Sequence, residues 1–379
     1  MKTWKINDKS IHLERYPFKG AHSHQAWDSA DEWIAQKFPE HENEIIIIGE
    51  AFGALSTLWG KSNITIINDS QLSLEAAKKN RENNKANISG KIKYTPITSL
   101  KAEKNNIEKI FIRLPKNLEL LELYIQAALS FSETETEIWI GGMDKRWNRG
   151  VLKITEQNLE TVKIFPFYRH SRWIQYRLNT NKKKNIKHPL KTIFLEKYKI
   201  ELQPALAVFN SGKLDQGAET FLESLPIEEI SQAETIADIG CGSGVLGLSA
   251  LRQNPSAKLI FTDESYAAIQ ATENNFILNF KDAENIKNRP QFKTANGLTG
   301  IENNSLDLIL CNPPFHFKNI QTREVAAFMF EEAKRCLKKN GMLQIVGNNH
   351  LGYHKLLKDF FDNVSEVNKN DKFRVFRAT

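Results

Sequence analysis

The chain has 379 residues, more than one typical domain needs and enough for two with buried cores. It is 41% hydrophobic with a mean hydropathy of −0.45, and no apolar run approaches the ~20 residues that a membrane span requires, which excludes the transmembrane classes. Lys and Arg number 52 against 45 acidic residues, giving +7 and a pI near 9.0, a surplus that favours a polyanionic partner because neutralised phosphates release counterions. The amino terminus MKTWKINDKSIHLERYPF has no apolar signal core, so a cytoplasmic location is expected. Cys241, Cys311 and Cys336 show no metal-ligand spacing, and an odd small number argues against a disulfide framework. They read as small buried residues, and no metal is expected.

In chain order, EIIIIGEAFGALS (44–56) is a buried strand entering a small-residue turn, and NITIINDS brings a second strand to Asp69. SLEAAKKNRENN reads as a helix. EKIFIRLPKNLELLELYIQAAL is a strand, a turn and a helix, and TEIWIGG is a further strand. FPFYRHSRWIQYRLNTNKKKNIKHPLK then interleaves Phe165, Phe167, Tyr168, Trp173 and Tyr176 with Arg169, Arg172, Arg177 and the lysines of 182–187. Two readings stand open for it: ring faces and cations for RNA, or a last strand WIQYRL followed by a solvated linker. The lysine-rich stretch marks a boundary between a domain at 1–182 and one at 188–379.

The second domain opens with strands around TIFLEKYKIELQPALAVF, then NSGKLDQGAETFLESL, where Asp215 is a plausible helix cap. TIADIGCGSGVLGLSAL is a mainly apolar strand, a glycine loop and a helix. Gly240, Gly242 and Gly244 let backbone approach a ligand, and the helix amino terminus favours anionic or carboxylate groups. KLIFTDE ends a strand at Asp263, about 20 residues on, as a nucleoside site requires. Later strands are QFKTAN, LDLILCN, MLQIVG, VSEVN and KFRVFRA, with helices at Gln321 to Leu337 and His350 to Phe361. Seven strands with the last two antiparallel predict a mostly parallel, doubly wound sheet.

LDLILCNPPF carries the chemistry. A strand this apolar is buried, which puts Asn312-Pro313-Pro314-Phe315 at its carboxyl end, where open α/β sheets bind ligands. The prolines stiffen the turn and leave its carbonyls free to accept, Asn312 adds an amide oxygen, and Phe315 adds a ring face. Acceptors beside a flat apolar face suit an exocyclic amine on a planar heterocycle. Alone, such a turn could merely end a strand. The glycines also satisfy the dinucleotide fingerprint Gly242-x-Gly244-x-x-Gly247, which leaves a nicotinamide-dependent oxidoreductase open, with His316 and His350 as its available acids.

The two halves share this element order. The first half has only Gly49 and Gly53 in its loop, with Glu50, Ala51 and Phe52 crowding it, and Arg113-Leu114-Pro115-Lys116 where the second has Asn-Pro-Pro-Phe. A duplication with one silent copy is expected. The silent copy would serve as a scaffold or bind RNA through Arg113 and Lys116.

The ordered set D-I-G-C-G-S-G, an acidic strand end and N-P-P-F resembles Rossmann-type S-adenosylmethionine methyltransferases acting on an exocyclic or amide nitrogen. With F-N-S-G-K-L-D-Q-G ahead of it and a degenerate half before that, the chain is similar over nearly its whole length to bacterial ribosomal-RNA guanine-N2 methyltransferases. QAWDSADEW, EAFGALS and RLPKNLELLE look more like the large-subunit (23S) members than the small-subunit (16S) ones. The resemblance implies two tandem Rossmann-like α/β domains, each a seven-stranded mostly parallel sheet, the first degenerate. It implies transfer of a methyl group from S-adenosylmethionine to guanine N2 of 23S rRNA; the sequence leaves the oligomeric state open, with a monomer expected. Asn312, Pro313, Pro314 and Phe315 would be catalytic, and Phe209, Asp215, Gly217, Asp238, Gly240, Gly242, Gly244, Asp263, Asn296 and Asn312 would hold the cofactor. A 16S-directed enzyme and a non-catalytic RNA-binding assembly factor remain as alternatives.

Overall fold

The computed structural model describes all residues except 17–23, 40–43, 86–87, 101–106, 181–191, 209–213, 282–285, 287–289 and 314–320. The chain forms two compact units, Met1–His188 and Pro189–Thr379.

The first unit begins with the hairpin β1 (Lys2–Ile6) and β2 (Lys9–Leu13), then α1 (Ser29–Lys37), β3 (Ile45–Ile48), α2 (Ala54–Leu58), β4 (Ile64–Asn68), α3 (Gln71–Asn83) and β5 (Ile92–Pro96). It continues through β6 (Lys109–Arg113), α4 (Leu118–Phe131), β7 (Glu137–Met143), α5 (Arg149–Asn158), β8 (Leu159–Ile164) and β9 (Ser171–Leu178). The second begins with the hairpin β10 (Ile193–Leu195) and β11 (Ile200–Leu202), then α6 (Gln216–Glu223), α7 (Ile227–Gln232), β12 (Thr235–Ile239), α8 (Val245–Gln253), β13 (Lys258–Asp263) and α9 (Tyr266–Phe280). It ends with β14 (Gln291–Thr294), β15 (Leu306–Cys311), α10 (Gln321–Cys336), β16 (Leu337–Asn348), α11 (Tyr353–Leu357), β17 (Val364–Lys369) and β18 (Phe373–Ala378).

Each unit holds one seven-stranded sheet, in the orders β5-β4-β3-β6-β7-β9-β8 and β14-β13-β12-β15-β16-β18-β17. Only β9 and β18 run against their neighbours, so the expected mostly parallel, doubly wound fold is present twice. The chain steps outward from β12 and returns to β15 on its other side, which makes the carboxyl ends of β12 and β15 the switch point where such sheets bind ligands.

The apolar runs give this architecture because a parallel strand is covered on both faces. In β15, Leu308 and Leu310 pack with Leu248 on one face, while Ile309 and Cys311 pack with Phe330 on the other. Ile45 to Ile48 of β3 are all buried.

Several elements differ from expectation. WIQYRL is strand β9, and Trp173 and Tyr176 are core residues, so neither offers a ring to RNA. The run expected as one helix from His350 to Phe361 is α-helical only over Tyr353–Leu357, because Gly352 at φ 66° breaks it from the preceding turn. Strands β5 and β8 are not among the expected elements. Each forms an outer edge of the first sheet, and β8 turns Val162 and Ile164 to solvent. The lysines of 182–187 lie outside the described residues.

Candidate active site

The site begins where β12 ends. Gly240, Gly242 and Gly244 all adopt left-handed φ, at 66°, 56° and 84°, which L side chains rarely adopt. A Cβ on Gly242 would meet nothing within 4 Å, so the loop faces open space there. Asp263, at the end of neighbouring β13, accepts from Gly242 N–H at 3.0 Å and from Ser265 N–H at 2.9 Å. Asp238 lies behind the loop, 1% exposed, and accepts from Gly247 N–H at 2.8 Å, holding the first turn of α8 against β12. Burial raises its carboxyl to about 7, against the pull of the Gly247 bond and with the help of the Asp263 charge.

On the other side of β12, Cys311 ends β15 opposite Ile239, and Asn312 follows. Asp215 caps α6, accepting from Gly217 and Ala218 N–H through Oδ1, and its Oδ2 accepts from Asn312 Nδ2 at 3.1 Å. A carboxylate only accepts. The Asn312 amide must therefore turn its NH2 to Asp215, and its Oδ1 is buried with no partner among the described residues. A buried carbonyl oxygen left unpaired costs free energy, so a donor at this point would be held well. Asn296 lies beyond β14, half-buried, its backbone carbonyl accepting from Thr299.

Pro313 is buried. Pro314, Phe315, His316 and Phe209 lie outside the described residues. His350 is exposed on the turn after β16. Cys241, Cys311 and Cys336 are buried, and burial pushes each thiol up, away from nucleophilic use. Among the described residues no cluster of His, Cys, Asp or Glu could hold a metal, and no helix is long and apolar enough to cross a membrane.

The first unit fills the same place with its own side chains. Arg113, the last residue of β6, takes the position that Asn312 takes just after β15, since Ile112 pairs Ile48 just as Cys311 pairs Ile239. Its guanidinium is buried, bonded to both oxygens of Asp28 at 2.8 Å and to Asp31 at 3.2 Å. The expected free charge at Arg113 is thus neutralised internally. Glu50, 2% exposed in the loop, accepts from the N–H groups of Leu55 and Ser56 and does for this turn what Asp238 does for the other. A Cβ on Gly49 would strike the Tyr124 ring at 2.3 Å, whereas one on Gly240 meets only the end of Met329 at 3.5 Å. Sequence reasoning had no signal for Asp28 or Asp31, which reach Arg113 from a distant helix.

An open glycine turn, an acidic second strand and an Asn-Pro strand end on a doubly wound sheet define a methyltransferase. The Methyltransferase small domain family matches residues 199–377, and the RLMG N-terminal domain family matches 1–180. The chain is 34% identical to the ribosomal RNA large subunit methyltransferase G of Colwellia psychrerythraea, over 97% of this chain and 96% of that protein. It is 33% identical to the one from Pseudoalteromonas translucida, over 99% and 97%. The chain belongs to the ribosomal RNA large subunit methyltransferase G family. The fold also matches T. thermophilus 16S rRNA N2 G1207 methyltransferase (RsmC), solved with AdoMet and guanosine, at a TM-score of 0.74 and 15% identity, covering 100% of this chain and 97% of that one.

Proposed function

We propose that the second unit transfers a methyl group from S-adenosylmethionine to the exocyclic N2 of a guanine in 23S ribosomal RNA, and that the first unit, its own site filled, does not methylate. The observation that carries this reading is the Asn312 Oδ1, buried and unpaired among the described residues at the carboxyl edge of the sheet, while its amide nitrogen is tied to Asp215. Family membership supports the substrate, and the reading places the enzyme in the cytoplasm with the RNA it modifies.

The residues fit the cofactor. The glycine loop has room for it at Gly242. Asp263 ends β13 beside the glycine loop as a carboxylate, the acceptor type that ribose hydroxyls need, and Asn296 lies past the next strand for the adenine. When bound, S-adenosylmethionine supplies a methyl group already activated on a sulfonium, so positioning the amine dominates the rate. The guanine N2 lone pair is delocalised into the ring. Accepting its N–H groups at Asn312 Oδ1 and the Pro313 carbonyl favours a pyramidal nitrogen and stabilises the positive charge that develops there. Phe315 would stack the extruded base.

The test is to incubate the full chain with 23S rRNA and methyl-labelled S-adenosylmethionine, then digest and separate the nucleosides. The expected label is in N2-methylguanosine with wild type and absent with Asn312→Ala. Label in another nucleoside, or equal label with Asn312→Ala, overturns the reading.

A further inference from the structure

The chain between β8 and β9 contrasts with its counterpart in the second unit. Ile164 pairs Ile174 and Ser171 pairs Met143, as Glu366 pairs Phe376 and Phe373 pairs Asn348. Residues 165–170 therefore match 367–372, in the same length. The second unit's turn is relaxed. Asn370 Oδ1 accepts from Lys372 and Phe373 N–H, and neither Asp371 nor Lys372 has a positive φ. The first unit puts Arg169 and His170 at φ 42° and 65° in a two-residue turn closed by Tyr168 and Ser171. Such turns ordinarily take Asn-Gly, and a left-handed L residue costs about 1–2 kcal/mol. Strain of this kind persists where surrounding contacts fix it, and it clusters at binding sites.

Those contacts are present. The Arg169 carbonyl accepts from Ser29 Oγ, and the His170 carbonyl from Asp144 N–H, both at 2.7 Å. Phe165 anchors the segment against Trp33 and Trp139. What the rigid turn displays is Phe167, 56% exposed, with the Arg172 guanidinium 3.8 Å from the ring centroid on one face. Arg169 is exposed on the same turn, its guanidinium in a surface ion pair with Glu32 and 5.3 Å from the Tyr168 ring centroid. Through the Asp144 bond the turn adjoins Lys145 and Arg146, whose charges, together with burial, hold the Lys116 ammonium below its usual range.

We propose that this turn is a docking face for an unpaired stretch of RNA, with one base stacked on the open side of Phe167 and adjoining phosphates meeting Arg169 and Lys145. Unpaired bases present ring faces that a duplex hides, and aromatic stacking beside cations is how sequence-tolerant single-strand binding is built. The choice of RNA as partner rests on the functional reading above. The face itself rests on the geometry of the turn.

Fluorescence anisotropy of the full chain with a labelled unstructured 12-nucleotide RNA, and with an RNA duplex of the same length, tests the proposal. Phe167→Ser is expected to weaken the unpaired RNA about tenfold and leave the duplex unchanged. Lys145→Ala is expected to reduce the salt slope for the unpaired RNA by about 0.7. Both variants keep the wild-type melting temperature and S-adenosylmethionine affinity. Unchanged affinity of Phe167→Ser for unpaired RNA, or equal loss on both RNAs, overturns the proposal. So does a change in sedimenting mass without a change in RNA affinity, which would make the face a protein contact. If wild type binds no S-adenosylmethionine while Phe167→Ser still loses RNA, the methyltransferase reading fails and the docking face stands.

Discussion

Asp215 and Asn312, 97 residues apart, are joined by one hydrogen bond that fixes which way the Asn312 amide faces. The carboxylate caps α6 with one oxygen and takes the Asn312 NH2 with the other. In Asp215→Asn the single remaining oxygen still caps the helix, and the new NH2 faces Asn312. The Asn312 amide then turns its own oxygen inward to pair with it. The acceptor for the substrate amine is lost while the fold is kept. We expect turnover to fall about 100-fold, with S-adenosylmethionine affinity within a few-fold of wild type. Single-turnover rates and isothermal titration measure the two, and equal losses in both would instead make Asp215 a cofactor contact.

Gly242 and Gly247 belong to one sequence motif and should fail in opposite ways. A Cβ at Gly242 enters open space at a strained φ of 56°, whereas one at Gly247 strikes the Phe261 ring at 2.3 Å. Gly242→Ala should cost about 1 kcal/mol of stability and at least tenfold in cofactor affinity, because the methyl occupies the cofactor's side of the loop. Gly247→Ala should cost about 1–3 kcal/mol through overpacking. Urea titrations beside S-adenosylmethionine binding separate the two, because Gly247 serves the packing of α8 on the sheet and not ligand contact.

The sheets were legible because buried parallel strands write themselves as apolar runs: IIII at Ile45–Ile48 and LDLILC at Leu306–Cys311 needed no context. Edge strand β8 carries its exposed Val162 and Ile164 in a polar-looking sequence, and no periodicity marks it. The glycine loop and Asn312 were legible because their chemistry is local. The bond from Asp215 to Asn312, and the ion pair from Asp28 to Arg113 85 residues away, were not. Each depends on where a helix cap falls after folding. For the same reason Arg113 looked like a free cation until its two carboxylates were in view.

Asp238 makes stability depend on pH. Its carboxyl is raised from 3.8 to about 7 in the folded chain, so the native state holds a proton that the unfolded state has released. The contribution is fully present below about pH 4 and is lost as pH rises through about 7. Asp238→Asn keeps an oxygen for Gly247 N–H and never ionises. Urea midpoints at several pH values should show the variant gaining on wild type from pH 4 to 8, and parallel profiles would place the titration elsewhere.

Arg113 is the counter-charge for buried Asp31 and half-buried Asp28 in the first unit. Asp28 is held below its usual range against the cost of burial, chiefly by the guanidinium, while burial carries Asp31 up to about 7 despite it. Arg113→Leu leaves buried Asp31 and half-buried Asp28 without a cation; breaking a buried pair on one side costs about 3–5 kcal/mol, and water at Asp28 reduces that acid's share. An acid whose folded pKa is raised stabilises the fold only while protonated, so removing Arg113 should do most harm above pH 7, where Asp31 must ionise or draw a proton from solvent. Denaturation at pH 6 and pH 8 should show the larger loss at pH 8. Equal losses at the two pH values would mean that packing of the long side chain, and not its charge, holds α1 to the carboxyl edge of β6.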